Sequence, residues 1–115
     1  MIYLAAPYST GLPEGMEPAE AMRQRADLIN KAAAQLMEEG HIVYSPISHG
    51  VSLEAHVSAD NLKSHDFWMN HCFGMLDRAR QLCVLRIPGW EASRGVQMEI
   101  NRARRNGLLV TYMEA

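Results

Sequence analysis

The stretch LCVLRIPGWEASRGVQMEINRARRNGLLVTY, residues 82–112, carries the alternation that decides the fold. Leu82 to Ile87 is an apolar run closed by Pro88 and Gly89, as expected of a buried strand. From Ser93 the period changes. Val96, Ile100 and Ala103 recur at helical spacing, Ser93 is placed to cap the first amides, and Gly107 is placed to end the last turn. Leu108 to Tyr112 then supplies another short apolar run. A strand, helix, strand unit of this kind predicts parallel pairing.

Working outward, the same alternation extends to the start of the chain. Asp66 is placed to cap a helix in which Trp68, Cys72, Met75, Leu76 and Ala79 share a stripe. His41 to Pro46 reads as a strand. Pro18 to Glu39 reads as a helix with Met22, Ala26, Ile29, Ala33, Leu36 and Met37 on one face, Pro18 in its first turn and Gly40 after its end. Ile2 to Ala6 is a buried strand stopped by Pro7, and Pro7 to Glu17, with Gly11, Pro13 and Gly15, is irregular. Ile47 to His65 has weak periodicity and is expected to be a long loop acting as a lid or specificity element. Four strands alternating with three helices predict an α/β domain over residues 1–115. Its parallel sheet has the order 2-1-3-4, with helices on both faces. In such a sheet ligands settle where neighbouring strands send their connections opposite ways, which is between strands one and three. The loops leaving those strands are Pro7 to Glu17 and Pro88 to Arg94.

The totals narrow the function. A chain of 115 residues with 48% hydrophobic content suits one core, and a net charge of -2 gives no footprint for nucleic acid. No apolar run approaches a membrane span, and Met1 runs into Ile-Tyr-Leu-Ala-Ala without a basic leader, so a cytoplasmic protein is expected. Cys72 and Cys83 fit reduced, buried thiols. The five histidines, His41, His49, His56, His65 and His71, match no metal-ligand spacing, so no metal and no cofactor are expected.

Glu99 needs an explanation, because it falls on the stripe of Val96, Ile100 and Ala103. A carboxylate facing the core is tolerated when hydrogen-bonded or when its reactivity is wanted; the same spacing also admits a partly exposed acid at the stripe's edge. Ser93, Gly95 and the amides that follow make a helix N-terminus able to hold a phosphate or hydroxyl, and Arg94 sits near enough to contact an anion. Glu99 lies about 9 Å further along, comparable to the reach from a 5'-phosphate to the anomeric carbon of a pentose.

The amino-terminal Ile-Tyr-Leu-Ala-Ala-Pro-Tyr-Ser, the Ser-Pro-Ile-Ser-His at 45–49 and the Gly-Trp-Glu-Ala-Ser-Arg-Gly-Val-Gln-Met-Glu at 89–99 resemble a small bacterial and phage branch of the nucleoside 2-deoxyribosyltransferase-like superfamily. The resemblance implies a three-layer flavodoxin-like fold and N-glycosidic bond cleavage of a (deoxy)nucleoside 5'-monophosphate through a glycosyl-enzyme intermediate on Glu99. It implies Tyr3 as the tyrosine that hydrogen-bonds the nucleophile and Ser93 as the phosphate-binding serine. Ser9 and Thr10 stand where the N-hydrolases carry a glycine-rich phosphate cradle. At Cys72 the chain departs from the family's usual aspartate, which helps protonate the leaving base; His49, Asp66 and His71 are the other candidates for that role. The implied partner is a small-molecule nucleotide or nucleoside, with a second copy of the chain completing a homo-oligomer through Phe67, Trp68 and Trp90. Alternatives are a non-catalytic nucleotide-binding module of the same fold and a nucleoside deoxyribosyltransferase.

Overall fold

A computed structural model describes residues 1–115. In chain order it contains β1 (Ile2–Ala5), α1 (Pro18–Glu38), β2 (Val43–Tyr44), α2 (Pro46–Val51), a 3-10 turn at Glu54–His56, α3 (Ala59–Leu62) and α4 (His65–Leu76). There follow β3 (Gln81–Leu85), a second 3-10 turn at Trp90–Ala92, α5 (Arg94–Arg105) and β4 (Leu109–Met113). The four strands form one parallel sheet in the order β2-β1-β3-β4, with Tyr3 opposite Tyr44 on one side and Leu82 on the other. This is the flavodoxin-like, three-layer arrangement.

The layers follow from the pleat. Successive side chains of β1 point to opposite faces of the sheet. Ile2, Leu4 and Ala6 pack with Cys83, Leu85 and Ile87 against Ile29, Ala32 and Leu36 of α1. Tyr3 and Ala5 pack with Leu82 and Val84 against Leu76 of α4 and Val96, Ile100 and Ala103 of α5. Both faces of the central strands are covered, which is why their sequences are continuous apolar runs rather than alternating ones.

Several expectations are corrected. The segment 47–65 is not a loop: it winds into α2, a 3-10 turn and α3, with Ser45 and Ser58 accepting the Ser48 and Asn61 amides as caps. Elements this short carry no readable period. The cap of α4 is Ser64, which accepts the Phe67 amide at 3.1 Å, and Asp66 lies in the first turn instead. β2 is two residues long because Ser45 and Pro46 are taken by the start of α2. On α1 the buried positions are Ala21, Arg25, Ile29, Ala32 and Leu36, one step round from the expected face, and Met37 is exposed. On α4 only Met69 and Leu76 are buried; Trp68 and Cys72 are half-buried. No helix is long and apolar enough to cross a membrane.

Leu4 is fully buried at the centre of the α1 layer. Leu4→Ala is expected to lower the unfolding free energy by about 2–5 kcal/mol, from lost transfer energy plus the cavity left behind. A urea melt checks this, and a change below about 1 kcal/mol would mean the α1 layer collapses freely around the gap.

Candidate functional site

β1 and β3 are neighbours whose connections leave in opposite directions, the first toward β2 and the second toward β4. Their carboxyl ends therefore diverge, and a cavity of ≈ 590 Å³ opens there. One wall is the first loop, with Tyr8, Ser9 and Thr10. The opposite wall is the start of α5, with Ser93, Arg94, Gly95 and Val96, and Glu99 lies one turn deeper. The short helices of segment 47–65 line another side with Ile47, Val51, Glu54 and Lys63, and Trp68 of α4 adds an apolar surface.

Glu99 is buried on α5, and its carboxylate Oε2 accepts a hydrogen bond from the Tyr3 hydroxyl of β1. Burial pushes the Glu99 carboxyl up to about 7, and the Tyr3 hydrogen bond pulls in the opposite direction. Burial, and next the nearby Glu99 charge, drive the Tyr3 phenol far above its ordinary range, so Tyr3 stays a protonated donor. Cys72 packs against the cluster that contains Tyr3 and also lines the cavity; burial pushes its thiol up to about 11. The acid and the tyrosine thus form a buried pair with half-buried Cys72 beside it, and Glu99 and Cys72 present this group to the cavity. Only the sheet register and the seating of α4 and α5 bring them together.

Ser93 is buried at the N-cap of α5, where its hydroxyl accepts the Val96 amide at 3.3 Å. A hydroxyl at a helix start can also donate, so the cap and an anion contact are compatible at this residue. Gly95 lines the cavity beside Met69, and a Cβ there would make only an ordinary contact, 3.8 Å from Met69 Sδ. Arg94 and Ser9 both line the cavity with exposed side chains.

His49 is not brought to the cavity. It is exposed on α2, where its Nδ1 lies 3.2 Å from the Tyr44 hydroxyl and its ring stacks on His71 at 5.5 Å between centroids. Asp66 also stays outside, exposed on the first turn of α4. Of the aromatic residues considered for an interface, Trp68 lines the cavity and donates Nε1 to the Leu62 carbonyl at 3.0 Å, while Trp90 packs on Tyr112. Phe67 is partly exposed. No three histidine, cysteine or carboxylate side chains converge as a metal-binding group.

Arg25 escaped the sequence reading. It is buried on α1, with Nη1 donating to the carbonyls of Tyr8 and Thr10 and Nη2 to those of Gly11 and Pro88. One guanidinium therefore ties the first loop to the loop after β3. Gly89 makes room for it: φ is +96°, and a Cβ there would meet Arg25 Nη2 at 2.7 Å. The signal was available, since Arg25 sits among Ala21, Ile29 and Ala32 as a charge on an apolar stripe, the same anomaly that singles out Glu99.

The chain belongs to the family described as Domain of unknown function (DUF1937), which it matches over residues 1–115. No curated protein matches it.

The buried acid makes folding pH-dependent. Glu99 keeps its proton to about pH 7 in the folded chain, against an ordinary value of 4.5. The native state therefore binds the extra proton between these values, and the associated stability is full below the lower one and is lost as pH rises through the upper. Between about pH 5 and about pH 8 the native protein should lose on the order of 2–3 kcal/mol relative to Glu99→Gln, which has no proton to release. Urea melts across that range measure it; parallel pH dependences in the two proteins would show that Glu99 titrates in its ordinary range.

Proposed function

We propose that this DUF1937 family member cleaves the N-glycosidic bond of a nucleoside or deoxynucleoside 5'-monophosphate, with Glu99 as the nucleophile. The observation that carries the reading is the buried Glu99–Tyr3 pair at the floor of a cavity whose wall is the start of α5. Tyr3 holds Oε2, leaving Oε1 to attack the anomeric carbon. The carbon–nitrogen bond breaks as the carbon–oxygen bond forms, and its electron pair leaves with the base, which takes up a proton. Water then attacks the same carbon and releases a proton, which balances the one the base took from solvent, while the ester bond breaks and the carboxylate is regenerated. One water is consumed, and configuration is retained through two displacements. Ser93, the first amides of α5 and Arg94 are the groups suited to the phosphate, with Ser9 facing them across the cavity.

A second reading, a nucleotide-binding module without turnover, is favoured by Cys72. Its thiol stands beside the Glu99–Tyr3 pair where an acid for the leaving base is wanted, and burial pushes it up to about 11. Such a group gives up its proton poorly near neutrality.

Incubation with ribo- and deoxyribonucleoside monophosphates, followed by chromatography for free base, separates the readings. Hydrolysis is expected from at least one substrate, with Glu99→Ala reducing it by about a thousandfold or more. If no substrate loses its base while nucleotides bind equally well to Glu99→Ala, the protein is a binding module. Base release only when a second free base is present would replace hydrolysis by transfer.

The pH profile gives an independent prediction. Activity should rise with pH through about 7 as Glu99 ionises. Tyr3→Phe removes the hydrogen bond that lowers the Glu99 value, so the rising limb should move upward, by about one pH unit. A limb that stays in place or moves down would separate Tyr3 from the nucleophile.

A further inference from the structure

Arg25 carries a buried positive charge with no carboxylate to meet it, for none of the ion pairs in the structure includes it. Arginine keeps that charge at any ordinary pH. It is answered by four peptide carbonyls, three from the first loop and one from Pro88. In a trans peptide the N–H points opposite the C=O, and no peptide here is cis. Drawing in those carbonyls therefore turns the amides of Ser9, Gly11, Leu12 and Gly89 away from the guanidinium. None of these amides donates to another backbone carbonyl. Of these residues Ser9 lines the cavity; its peptide has the negative end on a cation and the positive end free, which polarises it toward an anion.

We propose that Arg25 is a positioning residue for the anionic end of the substrate, acting through the peptides it holds and without touching the ligand. It fixes the wall formed by Tyr8, Ser9 and Thr10 opposite the start of α5, and it sets the preference for a phosphate monoester over the unphosphorylated nucleoside. This rests on the nucleotide reading of the cavity given above. Lysine in its place keeps the charge but offers a single nitrogen, which cannot span carbonyls of two loops as the planar fork does.

The test compares a nucleoside 5'-monophosphate with the same nucleoside in native protein, Arg25→Lys and Gly89→Ala. The last variant keeps the arginine and displaces it, through the Cβ that would meet Nη2 at 2.7 Å. Native protein is expected to favour the monophosphate in KM. Both variants should reduce that preference by roughly tenfold, with kcat for the unphosphorylated nucleoside changed by less than about threefold. Free guanidinium should restore part of the preference to Arg25→Ala. A purely structural arginine would weaken both compounds alike and leave the ratio unmoved. That result in folded variants, judged by circular dichroism, overturns the assignment.

If native protein releases no base, the hydrolase reading fails on its own, and the same ratio is read from dissociation constants by calorimetry. A loss of phosphate preference in the variants then still supports the role of Arg25. Native protein that binds the two compounds equally overturns it.

Discussion

A carboxylate enclosed between a sheet and the helix packed on it is unfavourable by several kcal/mol unless a donor meets it, and here the donor comes from the first strand. Tyr3 is fully buried on β1, and its hydroxyl reaches Glu99 on α5, 96 residues later in the chain. The bond makes the seating of α5 and the pleat of β1 depend on each other. A shift of β1 by one residue would turn Tyr3 to the α1 side and leave Glu99 buried without its partner. Val96, Ile100 and Ala103 hold the helix at the matching rotation by packing on the same face. The burial of Glu99 and the register of the sheet are thus aspects of one constraint.

The other face of the sheet carries a buried charge of opposite sign. Arg25 projects from α1 and is satisfied by carbonyls, whereas Glu99 projects from α5 and is satisfied by a hydroxyl. Together they define the cavity from both sides: one sets its floor and the other ties together the two loops at its mouth. A basic group on such a site would ordinarily be read as the ligand for an anion. Its donors are already engaged by the backbone, so Arg25 offers the cavity none, and the polar groups at the start of α5 that line it are Ser93 and the exposed Arg94.

Much of this was legible in residue spacing. Apolar runs ended by proline or glycine marked the central strands to within a residue or two, because strands covered on both faces cannot alternate. Glu99 stood out because it broke an apolar stripe, and Arg25 broke the α1 stripe in the same manner. It was missed because Met22, Ala26 and Met37 offered a competing apolar face; the covered face instead follows Ala21, Arg25 and Ile29. The segment 47–65 was unreadable for a different reason. Helices of one or two turns contain too few residues to display a period, and their serine caps look like ordinary loop residues.

The sequence by itself determined the alternation of strands and helices, the parallel sheet and its order, and the odd carboxylate on the apolar stripe of the last helix. Those depend on local periodicity and on the short, right-handed connections that such a chain permits. Which residues face one another was decided by the tertiary structure. Cys72 joins the Tyr3–Glu99 pair, His49 falls outside the cavity, and Arg25 ties two loops, because each of these depends on the rotation and depth of helices seated against a sheet. Spacing along a chain specifies which side of its own element a residue occupies. It does not specify what another element places opposite.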